Sequence, residues 1–313
     1  MIDEAALLAD VRALAALGPR HPGVSGLAAA ADLLAARLGS AGLPVRRLQV
    51  SGRLPARDPA HERPLDPPGG RFPADLKAAT CENVEAVLDG DDPEAPVAVL
   101  GAHYDTVPGS PGADDNASGV AVLLAVAAAL AARRRAGWRP RRGVRLVAFT
   151  LEEPGLLGST GYVQALREAG VAVAGALVVE SVGFTSATQR SPAFIRLPDR
   201  GDFLALVANE ASRPLLDRLL AAARRVAPSL RTVPPDPYFV APGVARGPFA
   251  DMRRSDHAPF WDAGWPAVML TDTTEFRSPH YHRASDTPET LDPAFLAQVA
   301  AVVLEAVVDL AST

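Results

Sequence analysis

The sequence predicts an α/β fold in three layers, with a mostly parallel, mixed central sheet flanked by helices. One observation is that the short apolar segments lack polar alternation, which is typical of strands buried on both faces of a parallel sheet. A second is that these segments alternate along the chain with stretches of helical period. The length of 313 residues is ample for one buried core, and we expect a single domain over residues 1–313.

The predicted elements follow from local periodicity and from helix-start and helix-stop residues. Helices are predicted over 4–17, 26–41, 117–135, 154–169, 203–226 and 293–310. Strands are predicted over 44–50, 83–88, 97–102, 144–150, 174–179 and 267–271. The stretch 51–73 is rich in proline, arginine and glycine, and we expect a surface excursion there. We expect the segments at about 185–202 and 234–256 to be loops that form a substrate pocket.

Composition and charge exclude several classes of protein. The chain has 31 basic and 36 acidic side chains and a formal charge of −5, which argues against a nucleic-acid partner. Its one cysteine, Cys81, cannot form an internal disulfide. Charged residues interrupt the N-terminal apolar run, unlike a secretory signal. The apolar stretches 120–132 and 295–311 are too short or too acidic to span a bilayer. We therefore expect a cytoplasmic protein with no membrane partner.

Carboxylates and imidazoles follow three of the predicted strands at the point where each ends. His103 and Asp105 follow one strand, Glu152 and Glu153 the next, and Glu180 a third. Because ligand sites in open α/β sheets form at the carboxyl ends of strands, we expect these side chains to lie close together. So many acids cannot all ionise without nearby cations, since like charges repel strongly at short range. Bound metal ions would resolve this repulsion.

Two further motifs carry the same kind of side chain. GADDNASG contains Asp115 and opens a long helix, and PHYHRASDT contains His282. Imidazole and carboxylate ligands suit zinc, and a metal pair needs a bridging group such as a carboxylate at a tight turn. Two divalent cations bring four positive charges; Asp115, Glu153 and Glu180 bring three negative ones, and one hydroxide brings neutrality. Zinc is therefore the predicted metal.

Five motifs in this order resemble those of the co-catalytic di-zinc aminopeptidases: HYD, GADDNASG, LEEPGLLGS, the acid that ends the next strand, and YHRASDT. This family is of the bacterial leucyl aminopeptidase type and is related to glutamate carboxypeptidase and glutaminyl cyclase. The resemblance extends from residue 83 to residue 286. It implies a metallo-exopeptidase with two Zn²⁺ per chain that hydrolyses the N-terminal peptide bond of peptides with a free N-terminus.

The resemblance also implies a role for each matching residue. The implied metal ligands are His103 and Glu180 for one zinc, Glu153 and His282 for the other, and Asp115 between them. The implied catalytic groups are Glu152 as general base, Asp105 as the acid that orients an imidazole, and Tyr281 as the phenol that holds the oxyanion. The attacking group would be a hydroxide held between the two zinc ions. The family more often has aspartate where this chain has Glu180.

Alternatives stay open for the activity. A glutaminyl-cyclase-like acyltransferase would use a single zinc with similar residues, and a carboxypeptidase or deacylase of the same clan would share the HxD and EE motifs. The pairs His103–Glu180 and Glu153–His282 favour two metals. Asn116 stands where the deacylases usually carry lysine, and about a hundred residues between Glu180 and His282 leave too little room for their inserted dimerisation domain.

One ligand assignment also has a competitor. His280 lies two residues before His282, but the following RASDT has the family's spacing from His282. We expect Asp286 to fix the loop that carries His282. Neither the oligomeric state nor the residue preferred at the substrate's N-terminus is predicted.

Overall fold

The computed structural model describes residues 2–52, 79–192, 195–233 and 250–313. Its strands are β1 (Val45–Gly52), β2 (Ala79–Leu88), β3 (Val97–His103), β4 (Val144–Phe149), β5 (Val173–Glu180), β6 (Phe203–Ala208), β7 (Arg231–Val233) and β8 (Ala267–Thr271). Its helices are α1 (Glu4–Ala15), α2 (Ser25–Ser40), α3 (Gly119–Arg135), α4 (Leu157–Glu168), α5 (Arg213–Val226), α6 (Ala258–Asp262) and α7 (Pro293–Ser312). Most of the predicted excursion at 51–73 and most of the predicted loop at 234–256 lie outside the described residues.

The strands form one mixed sheet in the order β1-β2-β4-β3-β5-β8-β6-β7. The four central strands, β4, β3, β5 and β8, run parallel. Antiparallel pairs extend the sheet on both sides. Parallel neighbours need crossover connections, and helices supply them here. The predicted three-layer α/β fold is therefore confirmed.

The predicted helix over 203–226 is wrong in its first part. Phe203–Ala208 forms β6, which pairs antiparallel with β8, and the α-helix covers Arg213–Val226. Asn209 separates the two elements, because its side-chain oxygen accepts the Ser212 N–H at 3.0 Å and caps a new helical turn. A short apolar run has no periodicity that distinguishes a buried strand from a buried helix. The short elements β7 and α6 were not predicted.

Alternate residues of the central strands belong to two separate cores. In β3, Val97 and Val99 pack with residues of α4 and α6. Ala98, Leu100 and Ala102 pack with the larger set of helices, α1, α2, α3, α5 and α7. Both faces of the sheet are therefore covered by helices, which explains why the strand sequences are continuously apolar.

Two helical segments, 113–135 and 293–312, are long and apolar enough to cross a membrane by length and composition. The length of these helices therefore does not exclude a membrane-spanning segment, contrary to the prediction. In this fold, however, 78% and 56% of their most apolar windows are buried inside the protein. Packing between helices and sheet accounts for their apolar composition.

The carboxyl ends of the parallel strands meet at one edge of the sheet. His103 is the last residue of β3 and Glu180 is the last residue of β5. Glu152 and Glu153 lie in the turn that follows β4, and His282 lies in the segment after β8. The crossovers thus deliver all of these side chains to the edge where α/β folds form their sites.

A close approach between β4 and α4 holds the turn that carries the two glutamates. The Asn83 side chain accepts the Thr150 N–H and donates to the Gly158 carbonyl, both at 2.9 Å. A Cβ atom on Gly158 would lie 2.0 Å from the Thr150 carbonyl oxygen. Glycine is therefore required at the start of α4.

We expect Gly158→Ala to lower the free energy of unfolding by about 1–3 kcal/mol, because backbone atoms of Thr150, directly after β4, would have to move. Gly161 lies in the same helix and is exposed, and a Cβ atom there would have no neighbour within 4 Å. Gly161→Ala should therefore raise the free energy of unfolding by about 0.5–1 kcal/mol. Urea denaturation of both variants measures the difference, and equal effects would show that α4 can shift away from β4.

Candidate metal centre

Two imidazoles lie on opposite sides of the Asp115 carboxylate. His103 Nε2 is 3.2 Å from Asp115 Oδ1, and His282 Nε2 is 3.2 Å from Asp115 Oδ2. Each oxygen of one carboxylate therefore faces a different imidazole. Both histidines and Asp115 are buried.

A second carboxylate joins each imidazole. Both carboxylate oxygens of Glu180 lie 3.3 Å from His103 Nε2, and Glu153 Oε2 lies 3.1 Å from His282 Nε2. The structure thus brings all five predicted ligands together, as two sets that share Asp115. Each set offers one nitrogen and carboxylate oxygens from two acids, which is a donor combination that zinc accepts.

The tautomer of His103 shows whether this donor set fits a cation. Its Nδ1 lies 3.1 Å from the main-chain carbonyl oxygen of Asp105, which can only accept a hydrogen bond. Nδ1 therefore carries the hydrogen, and the Nε2 lone pair of the neutral ring faces the oxygens of Asp115 and Glu180. Lone pairs that face each other repel unless a proton or a metal ion lies between them. The residues fit a bound cation.

The ionisation of these groups leads to the same conclusion. Burial alone would lower the pKa of His282, but Glu153 and Asp115 raise it to about 10. Burial likewise opposes the charge on His103, yet Glu180 and Glu152 raise its pKa well above the ordinary value. Without metal, the two imidazoles hold protons and serve as the cations of the site. A metal ion would take the place of those protons.

The turn that carries Asp115 is held at both ends. Asp115 lies in an irregular helical turn, Ala113–Ser118, and its peptide bond to Asn116 is cis. The Asn116 side chain donates to the Val179 carbonyl oxygen at 2.8 Å and accepts the Ser181 N–H at 3.0 Å. These bonds tie the Asp115 turn to the end of β5, where Glu180 lies.

Asp286 holds the other side of the same turn. Its carboxylate accepts the Asp114 N–H at 2.8 Å and the Asp115 N–H at 3.2 Å. Asp286 follows His282 in the same segment, so these bonds join the loop with the last ligand to the turn with the shared one. Asp286, which we expected to fix the loop that carries His282, thus links that loop to the Asp115 turn.

Asp105 has a different set of partners from the one that the resemblance implies. Its carboxylate accepts the N–H groups of Glu152 at 3.1 Å and Glu153 at 3.2 Å. The His103 Nδ1 lies closer to the Asp105 carbonyl oxygen, at 3.1 Å, than to its carboxylate, at 3.6 Å. Asp105 therefore orients the imidazole through its main chain, and its side chain fixes the turn that carries the two glutamates.

The two neighbouring glutamates have separate surroundings. Glu153 Oε1 accepts the Val107 N–H at 3.1 Å, so its other oxygen is the one directed at His282. Glu152 has a carboxylate oxygen in a group with ligand atoms of His103 and Glu180, all within 4.8 Å of one another. Burial raises the pKa of Glu152 well above its ordinary value, and Glu180 and Glu153 add to this, whereas His103 opposes it. Glu152 is therefore able to hold a proton beside the metal ligands.

Arg20, which no sequence motif predicts as part of the site, is completely buried. Its guanidinium donates to the carbonyl oxygens of Tyr104 at 2.7 Å and Gly112 at 3.0 Å, and to that of Pro111. Burial lowers its pKa to about 10, so it stays charged at neutral pH. It is a fixed positive charge under the loop between β3 and the Asp115 turn. Arginine in a Gly/Pro-rich turn is normally solvated, so no sequence pattern marks it.

The candidate metal centre opens into a cavity of about 190 Å³. Asp115, Glu152, Glu153, Glu180 and Tyr281 all line it. Its remaining wall is largely apolar and includes residues of both loops that were predicted to form the pocket. The apolar side chains of this wall include Ile195, Leu197, Val207, Met252, Met269 and Phe276. A substrate bound in this cavity would meet the metal ligands and Glu152 on one side and apolar side chains on the other.

The two histidines that competed for the last ligand position have different surroundings. His282 is buried between Asp115 and Glu153. His280 is only half-buried, and its Nδ1 lies 3.0 Å from the Ser285 hydroxyl. The geometry therefore favours His282.

Comparison with known proteins identifies relatives over most of the chain. Residues 83–307 match the family described as Peptidase family M28. The protein YfbL of Escherichia coli K12 is 34% identical over 233 residues, which are 68% of this chain and 67% of YfbL. The aminopeptidase YwaD of Bacillus subtilis is 29% identical over 239 residues, which are 74% of this chain but 46% of YwaD. The chain thus spans about half the length of that curated aminopeptidase.

Solved structures share the fold. The zinc aminopeptidase BSAP of Bacillus subtilis superposes with a TM-score of 0.71 at 19% identity, over 99% of this chain and 95% of BSAP. A glutaminyl cyclase of Porphyromonas gingivalis superposes with a TM-score of 0.66 at 20% identity, over 98% of both chains. At these identities the likeness shows the fold alone. The family match is what supports the predicted enzyme class, a metallo-exopeptidase.

We expect His282→Ala to bind about one zinc ion fewer per chain than the unaltered protein, because one donor set loses its only nitrogen. His280→Ala should retain the full zinc content. Metal analysis after gel filtration measures both. Equal zinc content in the two variants would remove His282 from the metal ligands.

Proposed function

This chain belongs to peptidase family M28, a family of hydrolases, and we propose that it is a zinc aminopeptidase that removes the N-terminal residue from peptides. The observation that carries the proposal is the shared carboxylate: each oxygen of Asp115 lies 3.2 Å from a different imidazole nitrogen. Such an arrangement suits two metal ions close together, as in co-catalytic hydrolases. We infer two Zn²⁺ per chain, held by His103, Glu180, Glu153 and His282, with Asp115 shared between them.

Zinc, when bound, would lower the pKa of water and polarise a carbonyl oxygen. The residues of the chain supply the rest of the chemistry. Glu152 lies among the ligand atoms, lines the cavity and has a raised pKa. It would take the proton from the attacking water and return it to the nitrogen of the departing amine.

The negative wall of the cavity supports selection for a free N-terminus. Glu152 and Glu180 both line the cavity and are buried. An α-amino group in its ammonium form would be stabilised beside these carboxylates, whereas an acylated nitrogen brings no charge to offset them. The substrate class that we propose is therefore peptides with an unblocked N-terminus.

The same residues distinguish the proposed activity from the alternatives. A single-zinc acyltransferase would leave one donor set without its cation, and the paired arrangement around Asp115 favours a peptidase. Against a deacylase, Asn116 ties the Asp115 turn to β5 at the position where those enzymes usually carry a lysine. The segment between β5 and His282 is used by β6, α5, β7, α6 and β8 of the same fold.

We expect Glu152→Gln to lower kcat for aminoacyl p-nitroanilides by about 10²–10⁴-fold, because the amide cannot exchange a proton with the attacking water. Zinc content should stay at the wild-type value, because none of the five proposed ligands is changed. Steady-state kinetics and metal analysis on the same preparation measure both. Unchanged hydrolysis at full zinc content would remove Glu152 from the proton transfer.

N-terminal acetylation of a peptide substrate should abolish its cleavage. The acetylated nitrogen has no charge to place beside Glu152 and Glu180, and the binding that selects an N-terminus is lost. Mass spectrometry of a matched pair, one peptide free and one acetylated, measures the difference. Comparable rates on both peptides would indicate an endopeptidase or a deacylase instead.

A further inference from the structure

Three polar side chains form a connected row on the wall of the cavity. Arg254 pairs with Glu275, and the Arg254 Nη2 lies 3.3 Å from the phenol oxygen of Tyr281. The Tyr281 ring in turn stacks on the His282 imidazole, with centroids 3.7 Å apart and planes 19° from parallel. All three side chains of the row line the cavity beside the metal ligands.

The chemistry of the donors fixes the direction of the bond to Tyr281. A guanidinium has hydrogen-bond donors and no acceptor, so the phenol oxygen must accept from Arg254. This bond uses a lone pair of the phenol oxygen and not its hydrogen. Because Tyr281 lines the cavity, that hydrogen is available to an acceptor on a bound substrate.

Glu275 keeps Arg254 in this position. The Arg254 and Glu275 side chains are only 14% and 13% exposed, so their ion pair is largely shielded from water. A guanidinium held in this way is pre-organised and loses little side-chain entropy for each hydrogen bond. The neighbouring Arg253 has a different partner, since its guanidinium pairs with Asp262 at 2.6 Å.

We propose that Arg254, held by Glu275, is a positioning residue that orients the Tyr281 phenol so that its O–H donates to the carbonyl oxygen of the substrate. The inference rests on the proposed peptidase function and deepens it. Arg254 touches no reacting atom; it acts through Tyr281. Because Tyr281 lines the cavity beside the metal ligands, its O–H can stabilise the negative charge that develops on the substrate oxygen.

A double-mutant cycle on an aminoacyl p-nitroanilide tests the inference. Tyr281→Phe should lower kcat by about 10²-fold, the usual loss for one oxyanion donor. Arg254→Met should lower kcat by about tenfold or more with little change in KM, and the double variant should be within about twofold of Tyr281→Phe alone. Arg254→Lys should restore part of the loss, and Arg253→Met should match the unaltered enzyme.

A spectroscopic readout separates this inference from the proposed function. The chain has four tyrosines, so 3-fluorotyrosine labelling gives few ¹⁹F resonances, and the line missing in Tyr281→Phe identifies Tyr281. That resonance should shift in Arg254→Met and stay in place in Arg253→Met. This measurement does not depend on turnover, so it still tests the contact if free aminoacyl amides prove not to be substrates.

Three results would overturn the inference. If Arg254→Met lowers kcat equally in the wild-type and Tyr281→Phe backgrounds, Arg254 acts on the substrate directly. If Arg254→Met raises KM instead, Arg254 binds a substrate carboxylate. An unmoved Tyr281 resonance in Arg254→Met would show that the two side chains are not coupled.

Discussion

The concentration of carboxylates at one buried sheet edge is the constraint on which the rest of this structure depends. Asp105, Asp115, Glu152, Glu153 and Glu180 are all nearly inaccessible to water. Four of them end or follow parallel strands, and Asp115 lies in the turn Ala113–Ser118. Their mutual repulsion is large in a medium of low polarity. Imidazolium groups and a buried arginine below the site offset this repulsion, and the donor sets are arranged so that divalent cations could offset it further.

Main-chain N–H groups also stabilise the buried carboxylates. Asp105 and Asp286 each accept two successive amide hydrogens, and Glu153 accepts one more. The bonds to Asp105 and Asp286 fix the turns that carry the ligands, and the bond to Glu153 leaves its other oxygen free to face His282. The positions of the ligands thus follow from the loops that join β3, β4 and β8 to the elements after them, and the sheet itself serves as the rigid support.

The sequence predicts well which side chains lie together at this edge, because the end of a buried strand followed by an acid or a histidine is a local pattern with a fixed place in the fold. It predicts the partners of those ligands poorly, because they come from remote positions. The bond between Asn83 and Gly158 and the burial of Arg20 depend on how distant elements pack. The predicted helix over 203–226 is wrong in its first part for a related reason. Pairing with β8, and not local propensity, determines that this part is the strand β6.

The ligands are far apart in the primary structure, and this has a mechanical consequence. His103 and His282 are separated by 179 positions, and the chain has no second cysteine with which Cys81 could form a disulfide. A metal pair held in common would act as a reversible cross-link that closes a very long loop of the polypeptide, which restricts the unfolded chain in the way that a disulfide does. Metal supply would then set the resistance of the protein to heat and proteolysis as well as its turnover.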